Sequence, residues 1–189
     1  KDNNMETALA ALGKSIAQWT GKADLLTTAI PGLALFRREE PTEPISGMYE
    51  PSVCLVAQGA KRVLLGDDTF VYDAHHYLIT SVHLPTVVQI IEASREKPYM
   101  GLRLTLNLRE ISQLMADSNL PPPRPQQSSR GMATGEVTLP LLLAFNRLID
   151  LLADQQDIPI LAPVIQREIL YRLLVGDQGS RLRQIASAG

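Results

Sequence analysis

Only one cysteine, Cys54, occurs in 189 residues, so no disulfide can form within the chain. A lone thiol inside an apolar run fits a reducing compartment. Long apolar runs are missing as well. The stretch at residues 139–145 falls far short of the ~20 residues that cross a bilayer. The opening Lys1-Asp2-Asn3-Asn4-Met5-Glu6 has a basic first residue but no hydrophobic signal core behind it. Basic charge is not in excess either. The formal net charge is −2 and the pI about 5.9, which argues against the basic face of a DNA-binding domain. No internal repeat is visible. These absences lead us to expect a soluble, cytoplasmic protein. The missing Met at position 1 and the abrupt Ala188-Gly189 ending suggest a piece excised from a longer chain.

What is present is a chain able to bury a core. Hydrophobic residues make up 45%, ordinary for a globular protein, and at this length neither disulfides nor a structural metal is required. We read one domain with a change of rhythm near Asn107. Before it come short strands and tight turns; after it come apolar helices.

Leu9, Leu12, Ile16 and Trp19 recur at helical spacing over residues 6–20, and Gly21 supplies a stop. Pro31-Gly32 breaks the chain before a first strand at 33–36, and a proline-punctuated loop covers 39–44. Residues 52–58 are nearly continuously apolar, which predicts a strand covered on both faces. Gly59 allows a turn or a bulge. Strands at 61–65 and 69–72 flank Gly66-Asp67-Asp68, a hairpin signal. Further strands are expected at 76–80 and 86–91, with Pro85 as the break between them. The clearest alternation is at 99–106. Met100, Leu102, Leu104 and Leu106 share the core face, while Tyr99, Gly101, Arg103 and Thr105 face a cavity or solvent.

Asn107 and Glu110 form a capping box for a helix ending near Asp117. Residues 118–130 hold Pro121-Pro122-Pro123-Arg124-Pro125, which reads as a surface loop. Thr138 caps a helix whose stripe is Leu142, Phe145, Ile149 and Leu152, widened by Leu141 and Leu148. Pro163 suits the first turn of the next helix, which stops at Gly176. The two helices are expected as antiparallel neighbours. Ser180 caps a final short helix with Leu182 and Ile185 inward.

Candidate chemistry is sparse. His75 and His76 are adjacent, so on a strand they point to opposite faces and cannot readily share an ion, even with His83 nearby. We expect no metal and no cofactor. Cys54 is either a small buried hydrophobe or a reactive thiol, depending on charges near it in space. Tyr72, Tyr77, Tyr99 and Arg103 either pack across strand pairs or supply the few polar groups of a ligand pocket. Arg167, Glu168 and Arg172 flank the apolar positions of the penultimate helix. Glu168 and Arg172 have the favourable i,i+4 order for an ion pair. The helices over 138–175 carry more apolar residues than one core face needs. Leu142, Phe145, Ile149, Arg167, Glu168 and Arg172 are therefore candidates for a dimer or interdomain contact.

Two stretches carry a family resemblance. One is Tyr49-Glu50-Pro51 with Val53-Cys54-Leu55-Val56-Ala57-Gln58-Gly59-Ala60-Lys61-Arg62 and Gly66-Asp67. The other is Gln166-Arg167-Glu168-Ile169-Leu170-Tyr171-Arg172-Leu173-Leu174 with Gly176 and Gly179. Tyr77-Leu78-Ile79-Thr80-Ser81, Leu84-Pro85 and Pro98-Tyr99-x-Gly101-Leu102 add to them. Together, over about 31–185, they resemble the N-terminal effector domain of AraC-type transcriptional regulators. The resemblance implies an α+β fold: a cupin-like β-barrel or sandwich at 31–107, preceded by a helix and lead-in at 1–30. The helical part would follow at 108–189 and run towards a DNA-binding domain absent from this chain. It implies a small-molecule effector, a homodimer, no catalysis, and DNA contact only through the absent domain. A cupin-type enzyme, metal-dependent or an isomerase, is the alternative. A dimerising module without a ligand is a third reading.

Overall fold

The computed structural model describes residues 2–80, 84–120 and 132–188. The expected loop over 118–130 and His83 therefore lie largely or wholly outside the described residues. Ten strands among the described residues form two antiparallel sheets: β1 (Leu25–Thr27), β2 (Leu33–Arg38), β3 (Ile45–Tyr49), β4 (Ser52–Gln58), β5 (Ala60–Leu65), β6 (Asp68–Tyr72), β7 (His76–Thr80), β8 (Leu84–Glu92), β9 (Tyr99–Thr105) and β10 (Met132–Glu136). One sheet runs β1-β2-β9-β4-β7-β10, the other β3-β8-β5-β6. They face each other as a sandwich and do not close into a barrel.

Among the described residues five α-helices accompany the sheets: α1 (Asp2–Thr20), α2 (Leu108–Asp117), α3 (Leu139–Asp150), α4 (Ile158–Leu174) and α5 (Gly179–Ala188). The six-stranded sheet separates two cores. On one face Val53, Leu55, Leu102 and Leu104 pack with Leu12 and Ile16 of α1 and with the helices that follow the sheet. On the other, Cys54, Val56, Leu78 and Tyr99 meet Val63, Tyr72 and Ile90 between the sheets. Burial on both sides is why β4 is apolar without a break from Val53 to Ala57. Each fully buried Leu or Ile is worth roughly 1.5–3 kcal/mol relative to exposure.

Gly59 is the corner at which the chain leaves the six-stranded sheet and joins the other. Its φ of +88° suits glycine, and a Cβ there would lie 3.1 Å from the Cα of Tyr99. Leu65 pairs with Asp68, leaving Gly66-Asp67 as a two-residue turn with Gly66 at φ +58°. The helix caps follow from local chemistry: Asn107 Oδ1 accepts from the Glu110 amide at 3.1 Å, and Thr138 Oγ1 from the Leu141 amide at 3.4 Å.

Several expectations need correction. The first strand is β1, not the strand at 33–36, and β3 was not anticipated. β10 lies beyond Asn107 yet pairs with β7, so the second half of the chain also contributes to the sheet. Pro85 sits inside β8, opposite Met48, past the last β5 pairing at Val87. There its missing N–H costs no ladder bond to β5. Helix α4 starts five residues before Pro163, with Pro159 in its first turn. Pro163 is exposed and leaves only the Pro159 carbonyl without its helical donor.

Candidate functional site

A chamber of about 250 Å³ opens between the two sheets. The six-stranded sheet supplies Phe36 and Arg38 from β2 and Tyr99 and Arg103 from β9. The facing sheet supplies Lys61 from β5, Val88 and Ile90 from β8, and Ile45 and Met48 from β3. Register explains the convergence. Tyr99, Gly101 and Arg103 alternate to one face of β9, and Gly101 lies opposite Phe36 on β2. Gly101 is bare because a Cβ would sit 2.7 Å from the Tyr99 hydroxyl and 2.9 Å from the Leu55 carbonyl. The Tyr99 ring thus folds over Gly101, which gives the Tyr99-x-Gly101 spacing a physical meaning.

Charge in this chamber is of one sign. Arg103 Cζ lies 5.3 Å from the centroid of the Phe36 ring, and Lys61 Nζ lies 6.0 Å from the same centroid. A cation over an aromatic face is worth about 0.5–2 kcal/mol, less than the several kcal/mol of effective desolvation per buried ion. Burial holds the Lys61 ammonium below the usual lysine range. The nearby Cys54 sulfur pulls it up, and the Arg103 charge adds to the fall. Tyr99 is pushed well above the ordinary phenol value, first by burial and then by Cys54. No Asp or Glu lines the chamber among the described residues. At the mouth, Arg38 Nη1 lies 3.4 Å from Asp24 Oδ2.

Of the five residues expected to form a pocket, Tyr99 and Arg103 line it. Cys54 and Tyr72 lie in the inter-sheet core beside it, both buried. Tyr77 does not belong there. Its side chain points to the other core, where its hydroxyl donates to Asp177 Oδ1 at 3.0 Å. Burial and the Asp177 charge raise its pKa far above the ordinary phenol value. Lys61, Phe36 and the apolar wall from β3 and β8 were missed. The available signal was Lys61-Arg62: two adjacent cations on a strand point to opposite faces, so one had to turn inward.

The expected interface residues also move. Leu142, Phe145 and Ile149 are each 0% exposed and fill the chain's own core, so no partner reaches them. Arg167 binds Glu110 at 3.0 Å and Asp117 at 2.7 Å, tying α4 to α2. Glu168 takes both Nη atoms of Arg147 on α3, at 3.0 and 2.6 Å, in place of an ion pair with Arg172. Arg172 is exposed and adds only a longer-range charge to Glu168. Beside β7, Asp73 Oδ1 accepts from the His75 amide at 3.0 Å and lies 3.3 Å from His76 Nδ1. That carboxylate closes a turn.

Residues 29–181 match the family model described as the AraC-type transcriptional regulator N-terminus. The chain belongs to this family. As an AraC-type N-terminal domain it is the regulatory part of a transcriptional regulator. Solved structures that resemble it include ToxT from Vibrio cholerae with an unsaturated fatty acid bound. That structure is 6% identical, with a TM-score of 0.44, and the match covers 75% of this chain and 52% of that one. A second ToxT structure is 6% identical with a TM-score of 0.47, covering 86% and 55%. This AraC-type domain thus spans about half the length of the structures it resembles. No curated protein matches its sequence.

Proposed function

We propose that this domain receives a small-molecule effector in the chamber between the sheets and passes its occupancy to the DNA-binding part of a full-length AraC-type regulator. The observation that carries this reading is the chamber itself: an apolar hollow with a few convergent polar groups, the usual make-up of a ligand site. Family membership favours this over a cupin-type enzyme. The domain acts as a homodimer in this reading. Helix α4 supports that, because it is apolar on two sides. Its inner residues Ile169, Leu170, Leu173 and Leu174 are buried, while Ile160 and Val164 are 72% and 62% exposed. An exposed apolar stripe of this kind marks an association surface.

The test is methyl and aromatic NMR of the chain with small neutral, anionic and cationic probes. Saturable shifts confined to Phe36, Val88, Ile90 and Tyr99 are expected for at least one of them. Shifts for every probe that map only elsewhere, for example to the surface near Gly32 and Pro163, would overturn the reading.

A further inference from the structure

We infer that the occupant of the inter-sheet chamber is a small organic anion, a monocarboxylate of about benzoate size, whose charge bridges Lys61 of one sheet and Arg103 of the other. This rests on the chamber being the ligand site and adds the chemical class of the ligand.

The other hollows of the molecule differ in charge balance. In the outer cleft of about 710 Å³, Arg37 holds Glu39 and Arg38 holds Asp24. In the hollow of about 450 Å³ beside α4, Arg167 holds Glu110 and Asp117. Each of these cations faces a carboxylate of the chain. Arg103 instead lies over the Phe36 ring, with no carboxylate partner among the described residues.

The two inward cations come from interior strands of opposite sheets, β9 and β5, and both lie within 6.0 Å of one ring. An arginine presents a planar fork that fits a carboxylate, and a lysine adds a point charge from the other side. The neighbouring Arg103 charge disfavours the Lys61 ammonium, and an anion between the two removes that penalty. A volume of about 250 Å³ is below the ~300–1,000 Å³ of drug-sized pockets. Long chains therefore do not fit whole. Arg38, Thr42 and Ile45 border both the chamber and the outer cleft, which marks the route in.

Binding by the 189-residue chain is measured by calorimetry with benzoate, benzyl alcohol and benzylamine, of similar size and charge −1, 0 and +1 at neutral pH. Benzoate is expected to bind at least tenfold more tightly than benzyl alcohol, with benzylamine weakest. Arg103→Met and Lys61→Met should each erase the advantage of benzoate over benzyl alcohol, with the circular dichroism spectrum and cooperative melting of each variant serving as the check that it folds. Should benzyl alcohol perturb the chamber and benzoate bind no better, the anion assignment falls and the chamber remains a ligand site. An advantage of benzoate that survives both substitutions places the anion elsewhere and overturns the inference too. If none of the three probes reaches the chamber, both readings fall.

Discussion

The Tyr77 hydroxyl and the Asp177 carboxylate, 100 residues apart in sequence, are joined by a 3.0 Å hydrogen bond. The second carboxylate oxygen accepts from the Glu136 amide at 3.1 Å. One side chain at the turn between α4 and α5 therefore holds both β7 and β10. Tyr77→Phe is expected to lower stability by about 1–1.5 kcal/mol. That is below the ~1.5–3 kcal/mol typical of hydrogen bonds to charged groups, because Asp177 itself is exposed and can turn to water. Chemical denaturation checks it. A loss under 0.3 kcal/mol would mark the bond as incidental.

Gly135 lies opposite Tyr77 in the β10–β7 pairing. A Cβ at this position would collide with the Tyr77 ring and hydroxyl and with Asp177 Oδ1. Gly135→Ala should cost about 1–3 kcal/mol, the range for forcing extra volume into a packed site. A melting temperature equal to that of the parent would show that the contact relaxes freely.

Alkaline titration should separate the tyrosines. Tyr77 and Tyr99 have folded-state values raised by burial above the ~10 of a free phenol, so the unfolded chain gives up these protons first. Their contribution to stability is whole below about pH 10 and is lost as pH climbs past it. Absorbance at 295 nm should show these two of the five tyrosines ionising only as the circular dichroism of the fold collapses. Full ionisation with the fold intact would contradict their burial.

Association is testable on the outer face of α4. Ile160→Glu with Val164→Glu should turn a dimer into a monomer in sedimentation velocity at micromolar concentration. Both sites are exposed, so each should change monomer stability by no more than ~0.5 kcal/mol. A parent chain that sediments as a monomer would refute the surface.

Cys54 should be slow to react. It is 3% exposed in the inter-sheet core, so a thiol reagent is expected to label the native chain at least about tenfold more slowly than the denatured one. Equal rates would return the thiol to consideration as a sensor.

Legibility in the sequence followed the range of the interactions. The Asn107 and Thr138 caps, the Gly66-Asp67 turn and the alternation of Tyr99–Thr105 rest on neighbours a few residues away, and all of them are found in the structure. Strands β1, β3 and β10 are short and lie at sheet edges. Met132-Ala133-Thr134-Gly135-Glu136 has no apolar alternation, and it is a strand because β7 offers it a ladder. The chamber was half legible. Tyr99 and Arg103 share the non-core face of an alternating strand and could be picked from it. Lys61 could be narrowed only to one of the opposed pair Lys61-Arg62, because hydropathy assigns lysine to water, and only the facing sheet shows which of the two is interior.

Helix α1 lies outside the segment that matches the family, which begins at residue 29. Yet Leu12 and Ile16 are completely buried, and Asn146 Nδ2 of α3 donates to the Ala8 carbonyl at 3.1 Å. Anyone preparing the protein from the matched segment alone would strip the cover from one wall of the hydrophobic interior. The product should come out of cells as insoluble aggregate. The heritable unit recognised by family likeness and the physical unit able to stay in solution have different starting points, and recombinant boundaries belong at the second.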